Sequence, residues 1–116
     1  MFRVFLALAV LAAALPASAS ENWFRYPAIS PDGATLVFSQ GGDLFRVSAD
    51  GGAAVPLTLN PAWDGHPVWS PDGQWLAFAS DRYGNLDVFV MPSSGGEARR
   101  LTWHSLNDVP TAFMPD

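Results

Sequence analysis

The chain has 116 residues, and its eleven acidic and six basic side chains give a formal net charge of −5 at pH 7. All six basic residues are arginine, and so acidic a chain lacks the basic surface that neutralises phosphates, which excludes nucleic-acid binding. Cysteine is absent, and an acidic chain without cysteine is consistent with an exported bacterial protein.

Residues 1–19 have the features of a secretory signal peptide. Arg3 precedes an apolar stretch that ends at Leu15, and Pro16-Ala17-Ser18-Ala19 supplies an A-x-A cleavage site. The apolar stretch is too short to span a bilayer comfortably. We therefore predict cleavage after Ala19, export to the bacterial periplasm, and no membrane span after cleavage. Residues 20–25 are predicted to form an N-terminal lead-in.

A four-residue motif marks an internal repeat. Ser30-Pro31-Asp32-Gly33 recurs 40 residues later as Ser70-Pro71-Asp72-Gly73, and Met114-Pro115-Asp116 begins a third copy 44 residues after the second. A fixed period of this size is typical of an architecture that repeats one supersecondary unit. The repeat predicts complete units at 26–65 and 66–109 and the truncated start of a third at 110–116. The chain is therefore expected to be a fragment of a longer protein.

Each complete unit is predicted to contain four antiparallel strands. Short runs rich in Val, Leu, Phe and Trp alternate with Gly, Pro, Asp, Asn and Ser, and no part of the mature chain offers ten residues of helical periodicity free of Gly or Pro. Strands are predicted near 26–30, 34–39, 43–48 and 54–58, then near 66–70, 74–80, 86–91 and 98–102. Four strands in each unit favour an all-β fold of β-propeller blades over a hairpin solenoid or a β-sandwich.

The repeated motif itself is predicted to be structural. Ser-Pro-Asp-Gly suits a type I turn at every position, because Pro fixes φ at the second place and Gly closes the fourth. The turn residues are Ser30, Pro31, Asp32 and Gly33 in the first unit and Ser70, Pro71, Asp72 and Gly73 in the second. Asp64 is assigned to a turn by similar reasoning, and Asp43 and Asp87 are expected to brace equivalent strands.

No catalytic, cofactor-binding or metal-binding residue is predicted. A Gly-x-Ser-x-Gly elbow is missing, and His66 and His104 have no His or Cys partner at ligand spacing. Two stretches are candidates for binding, because loops at the ends of β architectures often carry recognition. They are the inserted loop 81–85, with Arg82 and Tyr83, and the linker after the second unit, with Trp103 and His104. The alternative is that the aromatic side chains of these stretches pack between blades.

The repeat also resembles a known family. Its pattern is Pro67-Val68-Trp69-Ser70-Pro71-Asp72-Gly73, then Leu76–Arg82, Asp87–Met91, Gly95-Gly96 and Arg100-Leu101-Thr102. Residues 24–116 resemble the WD-like (TolB-type) propeller repeats of TolB and of tricorn-like serine peptidases. Residues 22–30 and 101–108 resemble the opening blades of exported tricorn-like peptidases. This resemblance implies a non-catalytic propeller that guides peptides toward a separate PDZ-containing serine peptidase domain.

The leading hypothesis is therefore a propeller segment that binds, filters or guides peptides or proteins for a periplasmic peptidase. One alternative is a TolB-like protein-interaction module of the cell envelope, and another is the propeller of a prolyl-oligopeptidase-like enzyme. We expect the chain to use no cofactor and to pack on further blades or self-associate, because about three repeat units are usually needed for stability.

Overall fold

The computed structural model describes residues 25–103 and 105–114. The predicted signal peptide, His104, Pro115 and Asp116 lie outside the described residues. Eight strands form two four-stranded antiparallel sheets in the orders β1-β2-β3-β4 and β5-β6-β7-β8. The strands are β1 (Arg25–Ile29), β2 (Thr35–Gln40), β3 (Asp43–Ser48), β4 (Val55–Pro56), β5 (Asp64–Trp69), β6 (Trp75–Tyr83), β7 (Asn85–Pro92) and β8 (Arg99–Arg100). No helix occurs in the described residues, which confirms the all-β prediction of propeller blades.

The two sheets, here called the first and second blades, repeat the same register. Phe38 pairs with Phe45 in the first blade, and Phe78 pairs with Phe89 in the second. The outer strands β4 and β8 are only two residues long, shorter than predicted. The pairing of β3 with β4 ends where a threonine hydroxyl replaces a backbone carbonyl as the acceptor. The amide of Leu44 in β3 donates to Thr58 Oγ1 at 2.9 Å. Thr102 accepts from the amide of Val88 at the same distance in the second blade.

The Ser-Pro-Asp-Gly segments form matching turns between the first and second strands of each blade. The amide of Gly73 donates to the carbonyl of Ser70 at 2.9 Å, and the Ser70 hydroxyl donates to Asp72 Oδ1 at 2.6 Å. The amide of Gln74 also donates to Asp72 Oδ1, and that of Trp75 donates to Ser70 Oγ. The first blade has the same four bonds. The serine hydroxyl thus links both sides of the turn.

These turns lower the pKa of their aspartates. The hydrogen bond from the Ser70 hydroxyl, followed by the one from the Gln74 amide, holds the pKa of Asp72 below its ordinary value of 3.8. We expect Ser70→Ala to raise this pKa toward 3.8, as measured by NMR titration of the Asp72 carboxyl carbon. Asp32, which keeps Ser30, serves as the internal control. An unchanged Asp72 pKa in the variant would contradict this account of the turn.

The linkage between the Asp72 pKa and stability has a definite sign. Because the folded-state pKa is depressed, the stabilisation is fully present above the unfolded value of 3.8. It is lost as the pH falls through the folded-state pKa. The Ser70→Ala variant should therefore lose less stability than the wild-type protein on acidification below pH 3.8.

The hydrophobic core lies between the two blades. Val37 and Leu44 of the first blade pack against four large side chains of the second, and all six are at most 2 % exposed. The four are Leu76, Phe78, Phe89 and Met91. Because side chains alternate along a strand, these residues define the face that the second blade presents to the first. Burial of this face joins the sheets into one packed unit.

Hydrogen bonds also connect the blades near their first strands, β1 and β5, which we call the inner strands. Asp64 donates its amide to the carbonyl of Gly42 at 2.8 Å, and its carbonyl accepts from the Ser39 hydroxyl at 2.9 Å. The Trp69 indole N–H donates to the carbonyl of Ala28 at 3.0 Å, which joins β5 to β1. The position of the second blade is therefore fixed by directional bonds as well as by apolar contact.

The stretch 81–85, predicted as an inserted loop, extends a hairpin instead. Strand β6 continues to Tyr83, which pairs with Asn85 after a register shift. The turn is formed at Gly84, whose φ of 109° favours glycine. The extra residues of the second unit therefore lengthen the β6–β7 hairpin, because Tyr83 and Asn85 continue the pairing between the two strands.

Candidate functional site

The inner strands β1 and β5 contact each other, and each contains a bulge at the same place. Between Gly65 and Val68, strand β5 spans three residues while the paired positions Ala79 and Ala77 on β6 span two. One extra residue of this kind bends a strand and redirects a side chain. The first blade has the equivalent bulge between Arg25 and Ala28.

The bulges place Tyr26 and His66 in a strained backbone conformation. Both residues have a φ of 53°, and no other described non-glycine residue has a positive φ. Each directly precedes a proline, Pro27 or Pro67, which restricts the backbone of the preceding residue further. A left-handed conformation at an aromatic residue costs about 1–3 kcal/mol, and such strain is concentrated at functional sites.

The strained residues form an aromatic cluster with Trp63. The ring centroids of Tyr26 and His66 are 3.7 Å apart, with planes inclined by 36°. Trp63 lies edge-on to both rings, at 6.1 Å from Tyr26 and 5.8 Å from His66. Gly65 makes room for the indole, because a Cβ atom there would overlap it. We call Tyr26, Trp63 and His66 the inner-strand cluster.

The chemistry of the inner-strand cluster is aromatic and uncharged at neutral pH. Burial lowers the pKa of His66 from its ordinary value of 6.5, so the imidazole is neutral at pH 7. Tyr26 is 37 % exposed, so part of this residue is accessible from solvent. Aromatic faces attract cations and stack on apolar groups. The cluster can therefore bind side chains or peptide groups through aromatic contacts rather than through ion pairs.

Three of the four residues predicted for binding lie near one another at the β6–β7 hairpin. Tyr83 and Trp103 are 64 % and 68 % exposed, and the Arg100 guanidinium carbon lies 4.4 Å and 5.4 Å from their ring centroids. Arg82 lies over the Phe89 ring at 5.0 Å. We call Tyr83, Arg100 and Trp103 the hairpin cluster. The fourth predicted residue, His104, lies outside the described residues.

Both arginines of this region, Arg82 and Arg100, form ion pairs with aspartates. Arg100 Nη2 is 2.7 Å from Asp87 Oδ2, and Arg82 Nη2 is 3.4 Å from Asp64 Oδ2. Both carboxylates are fully buried. Asp64 lies in strand β5, so its assignment to a turn was wrong. Since their charges are already compensated, the arginines chiefly hold the hairpin in place. Sequence reasoning missed Arg100 because nothing local indicated its contact with Tyr83.

The described residues contain no group of three or more His, Asp or Glu side chains close enough to hold a metal ion. In residues 25–103 and 105–114 no helix is both long and apolar enough to cross a membrane.

The eight residues predicted to form turns lie in the two turns before β2 and β6. The inner-strand cluster was not predicted as a site, although Tyr26 and His66 are the first residues of the two predicted repeat units.

Two packed four-stranded blades with contacting, bulged inner strands define a segment of a β-propeller. Residues 21–116 match the family model described as the Tricorn protease N-terminal beta propeller domain. The chain belongs to this family. No match was found among curated proteins.

Solved propeller structures are similar to this chain. TolB from Agrobacterium tumefaciens is 29 % identical with a TM-score of 0.63, over 72 % of this chain and 31 % of that one. TolB from Acinetobacter baumannii is 20 % identical with a TM-score of 0.62, over 75 % and 23 %. The AtxE2 isopeptidase is 18 % identical with a TM-score of 0.62, over 77 % and 18 %. The last two show the fold alone, and the chain spans less than a third of each structure.

Proposed function

We propose that this chain is a non-catalytic propeller segment that binds peptides and guides them for an exported, periplasmic tricorn-like serine peptidase. Membership of the tricorn propeller family supports this proposal. The observation that carries it is the inner-strand cluster, in which the same bulge presents an aromatic ring from each blade. Strained backbone at the same position of both blades supports a binding role, because backbone strain and bulges are concentrated at functional sites.

The charge of the chain indicates which peptides bind best. A net charge of −5 attracts cationic peptides over a distance, and the rings of the inner-strand cluster contact their Lys or Arg side chains by cation–π interactions. Leucine or proline side chains stack on the same aromatic faces. We therefore expect basic, partly apolar peptides to bind more tightly than acidic ones.

Fluorescence anisotropy tests this function with a fluorescein-labelled peptide of Arg, Lys and Leu residues and a matched peptide with Glu in place of Arg and Lys. The Tyr26→Asn/His66→Asn double variant removes two rings, while asparagine tolerates the positive φ. We expect the double variant to bind the basic peptide about tenfold more weakly. Tyr83→Asn, which removes an exposed ring from the hairpin cluster, serves as the control and should bind normally.

The result of that titration also depends on pH. As the pH falls through the lowered pKa of His66, the imidazole becomes cationic and repels a basic peptide. Binding should therefore weaken below pH 6.5, and His66→Asn should remove most of this dependence. The proposal would be contradicted if the wild-type chain bound the basic and acidic peptides with equal affinity and the double variant bound them as tightly as the wild-type chain.

A TolB-like interaction module is the second candidate function, favoured by 29 % identity to one TolB structure and by the exposed hairpin cluster. In that case folded protein partners would contact Tyr83 and Trp103 rather than the inner strands. Loss of binding in Tyr83→Asn with retention in the Tyr26→Asn/His66→Asn variant would favour this candidate. For both functions, and for the propeller of a prolyl-oligopeptidase-like enzyme, we expect no peptide hydrolysis by the purified chain.

A further inference from the structure

The backbone of Trp63, the third residue of the inner-strand cluster, is held by Asp81. The Trp63 amide donates to Asp81 Oδ1 at 2.7 Å, and the Asp81 amide donates to the Trp63 carbonyl at 3.2 Å. A carboxylate is a stronger acceptor than a neutral carbonyl, so the first of these bonds is the stronger one. Because both polar groups of the Trp63 backbone are bound to one residue, Asp81 determines where the indole projects.

Asp81 reaches Trp63 from the lengthened β6–β7 hairpin. Its backbone carbonyl accepts from the amide of Gly84 in the hairpin turn at 3.0 Å, and its carboxylate is the acceptor for Trp63 instead. The residue 40 positions earlier is Gly41, which follows β2 and has no side chain that could accept a hydrogen bond. The extra residues of the second hairpin therefore supply a contact to the inner-strand cluster that Gly41 cannot make.

Gly65 gives the indole its space on strand β5. A Cβ atom at this position would lie 2.7 Å from Cζ2 of Trp63, closer than real Cβ atoms approach other groups. The backbone does not itself require glycine, because the φ of Gly65 is not positive. The residue 40 positions earlier, which lies at the same place in the bulge, is Arg25. Two separate features, the bonds of Asp81 and the missing Cβ of Gly65, thus place the same ring.

The place of this ring affects what the cluster can bind. Trp63 is partly buried and lies edge-on to the rings of Tyr26 and His66. Among aromatic side chains, indole attracts cations most strongly. An indole that left this position would take the strongest aromatic partner away from a bound Lys or Arg side chain.

We propose that Asp81 is a positioning residue of the inner-strand cluster and, through Trp63, sets the preference of the cluster for basic peptides. Its effect on binding rests on the peptide-binding function proposed above. Asp81 acts as the hydrogen-bond acceptor of the Trp63 amide rather than as a direct partner of the peptide. Gly65 completes the arrangement by leaving the indole its space.

The basic and acidic peptides of the anisotropy experiment test this role. Asp81→Ala removes the acceptor, and the affinity for the basic peptide should fall about fivefold or more. Asp81→Asn keeps an oxygen that accepts from the Trp63 amide, so it should restore the affinity to within about twofold of the wild-type value. Glu97→Ala removes one negative charge from an exposed residue of the same chain and is the control, with a change of about twofold or less.

Gly65→Ala displaces the same ring while Asp81 stays in place. Its Cβ atom overlaps the indole, so the affinity for the basic peptide should again fall about fivefold or more. The acidic peptide should respond much less to either substitution, because it has no cationic side chain for the indole to bind. Circular dichroism and urea denaturation check that each variant remains folded.

Nuclear Overhauser effects between the rings of Trp63 and His66, whose centroids are 5.8 Å apart, report the place of the indole without any peptide. We expect these cross-peaks in the wild-type chain and in Asp81→Asn, and we expect them to weaken in Asp81→Ala and Gly65→Ala.

The two readouts separate this role from the proposed function. If the wild-type chain did not bind the basic peptide, the proposed function would fail, and the cross-peaks would still decide whether Asp81 positions Trp63. Full cross-peaks and wild-type affinity in Asp81→Ala would overturn the positioning role. Equal losses of affinity in Asp81→Asn and Asp81→Ala would also overturn it, since Asp81 would then act through its charge.

Discussion

Replacing Phe78 with alanine should lower the free energy of unfolding by about 3–5 kcal/mol. Phe78 is fully buried and lies in the core between the blades, where its ring centroid is 5.8 Å from that of Phe89. The substitution removes apolar burial and leaves a cavity that two stiff sheets cannot readily fill. A loss of this size is comparable to the whole stability of a small domain, so the variant should be largely unfolded at 37 °C.

Urea denaturation followed by tryptophan fluorescence measures this loss. Leu59→Ala is the control, because Leu59 is 77 % exposed and its truncation should change stability by less than about 0.5 kcal/mol. If Phe78→Ala and Leu59→Ala unfolded at the same urea concentration, the blades would not share the core described above.

Replacing Arg100 with methionine should cost a similar amount, about 3–5 kcal/mol at pH 7. The substitution keeps much of the apolar stem but removes the only described ion-pair partner of Asp87, which is fully buried. An uncompensated buried carboxylate is far more costly than the net contribution of the intact pair. The loss should therefore come from the charge left behind on Asp87.

A double variant isolates that contribution. Asp87→Asn combined with Arg100→Met removes both charges, and we expect it to recover a large part of the stability lost in Arg100→Met. Arg99→Met is the matched control, since Arg99 is the exposed neighbour of Arg100 in β8. Equal stability of Arg99→Met and Arg100→Met in urea would show that the Asp87–Arg100 pair does not brace the blade.

The repeat made the architecture predictable because it is encoded locally. Each Ser-Pro-Asp-Gly turn is closed by its own residues, so its position and the two flanking strands follow from the sequence. The ends of the outer strands were harder to place, because Thr58 and Thr102 replace backbone pairing with a side-chain bond. The repeated Leu-Thr pair was visible in the sequence, but its bond to the third strand depends on distant residues.

The candidate site was less predictable because it depends on register. A bulge arises when one strand has one more residue than its partner, and the sequences around Tyr26 and His66 do not show this. The contact of Trp63 with both rings also requires the two blades to be packed together. An aromatic residue directly before proline at the same place in both units was the available signal. Likewise, Asp64 was misassigned because its partner Arg82 lies 18 positions away.

Hydrogen–deuterium exchange of the full chain with the basic peptide bound tests the central claim most directly. If the inner-strand cluster binds peptides, amide protection should increase in Arg25–Ile29 and Asp64–Trp69 and stay unchanged around Tyr83 and Asn85. The Tyr26→Asn/His66→Asn variant should show no such increase. Protection confined to the β6–β7 hairpin, or equal protection of the inner strands in the double variant, would contradict the claim.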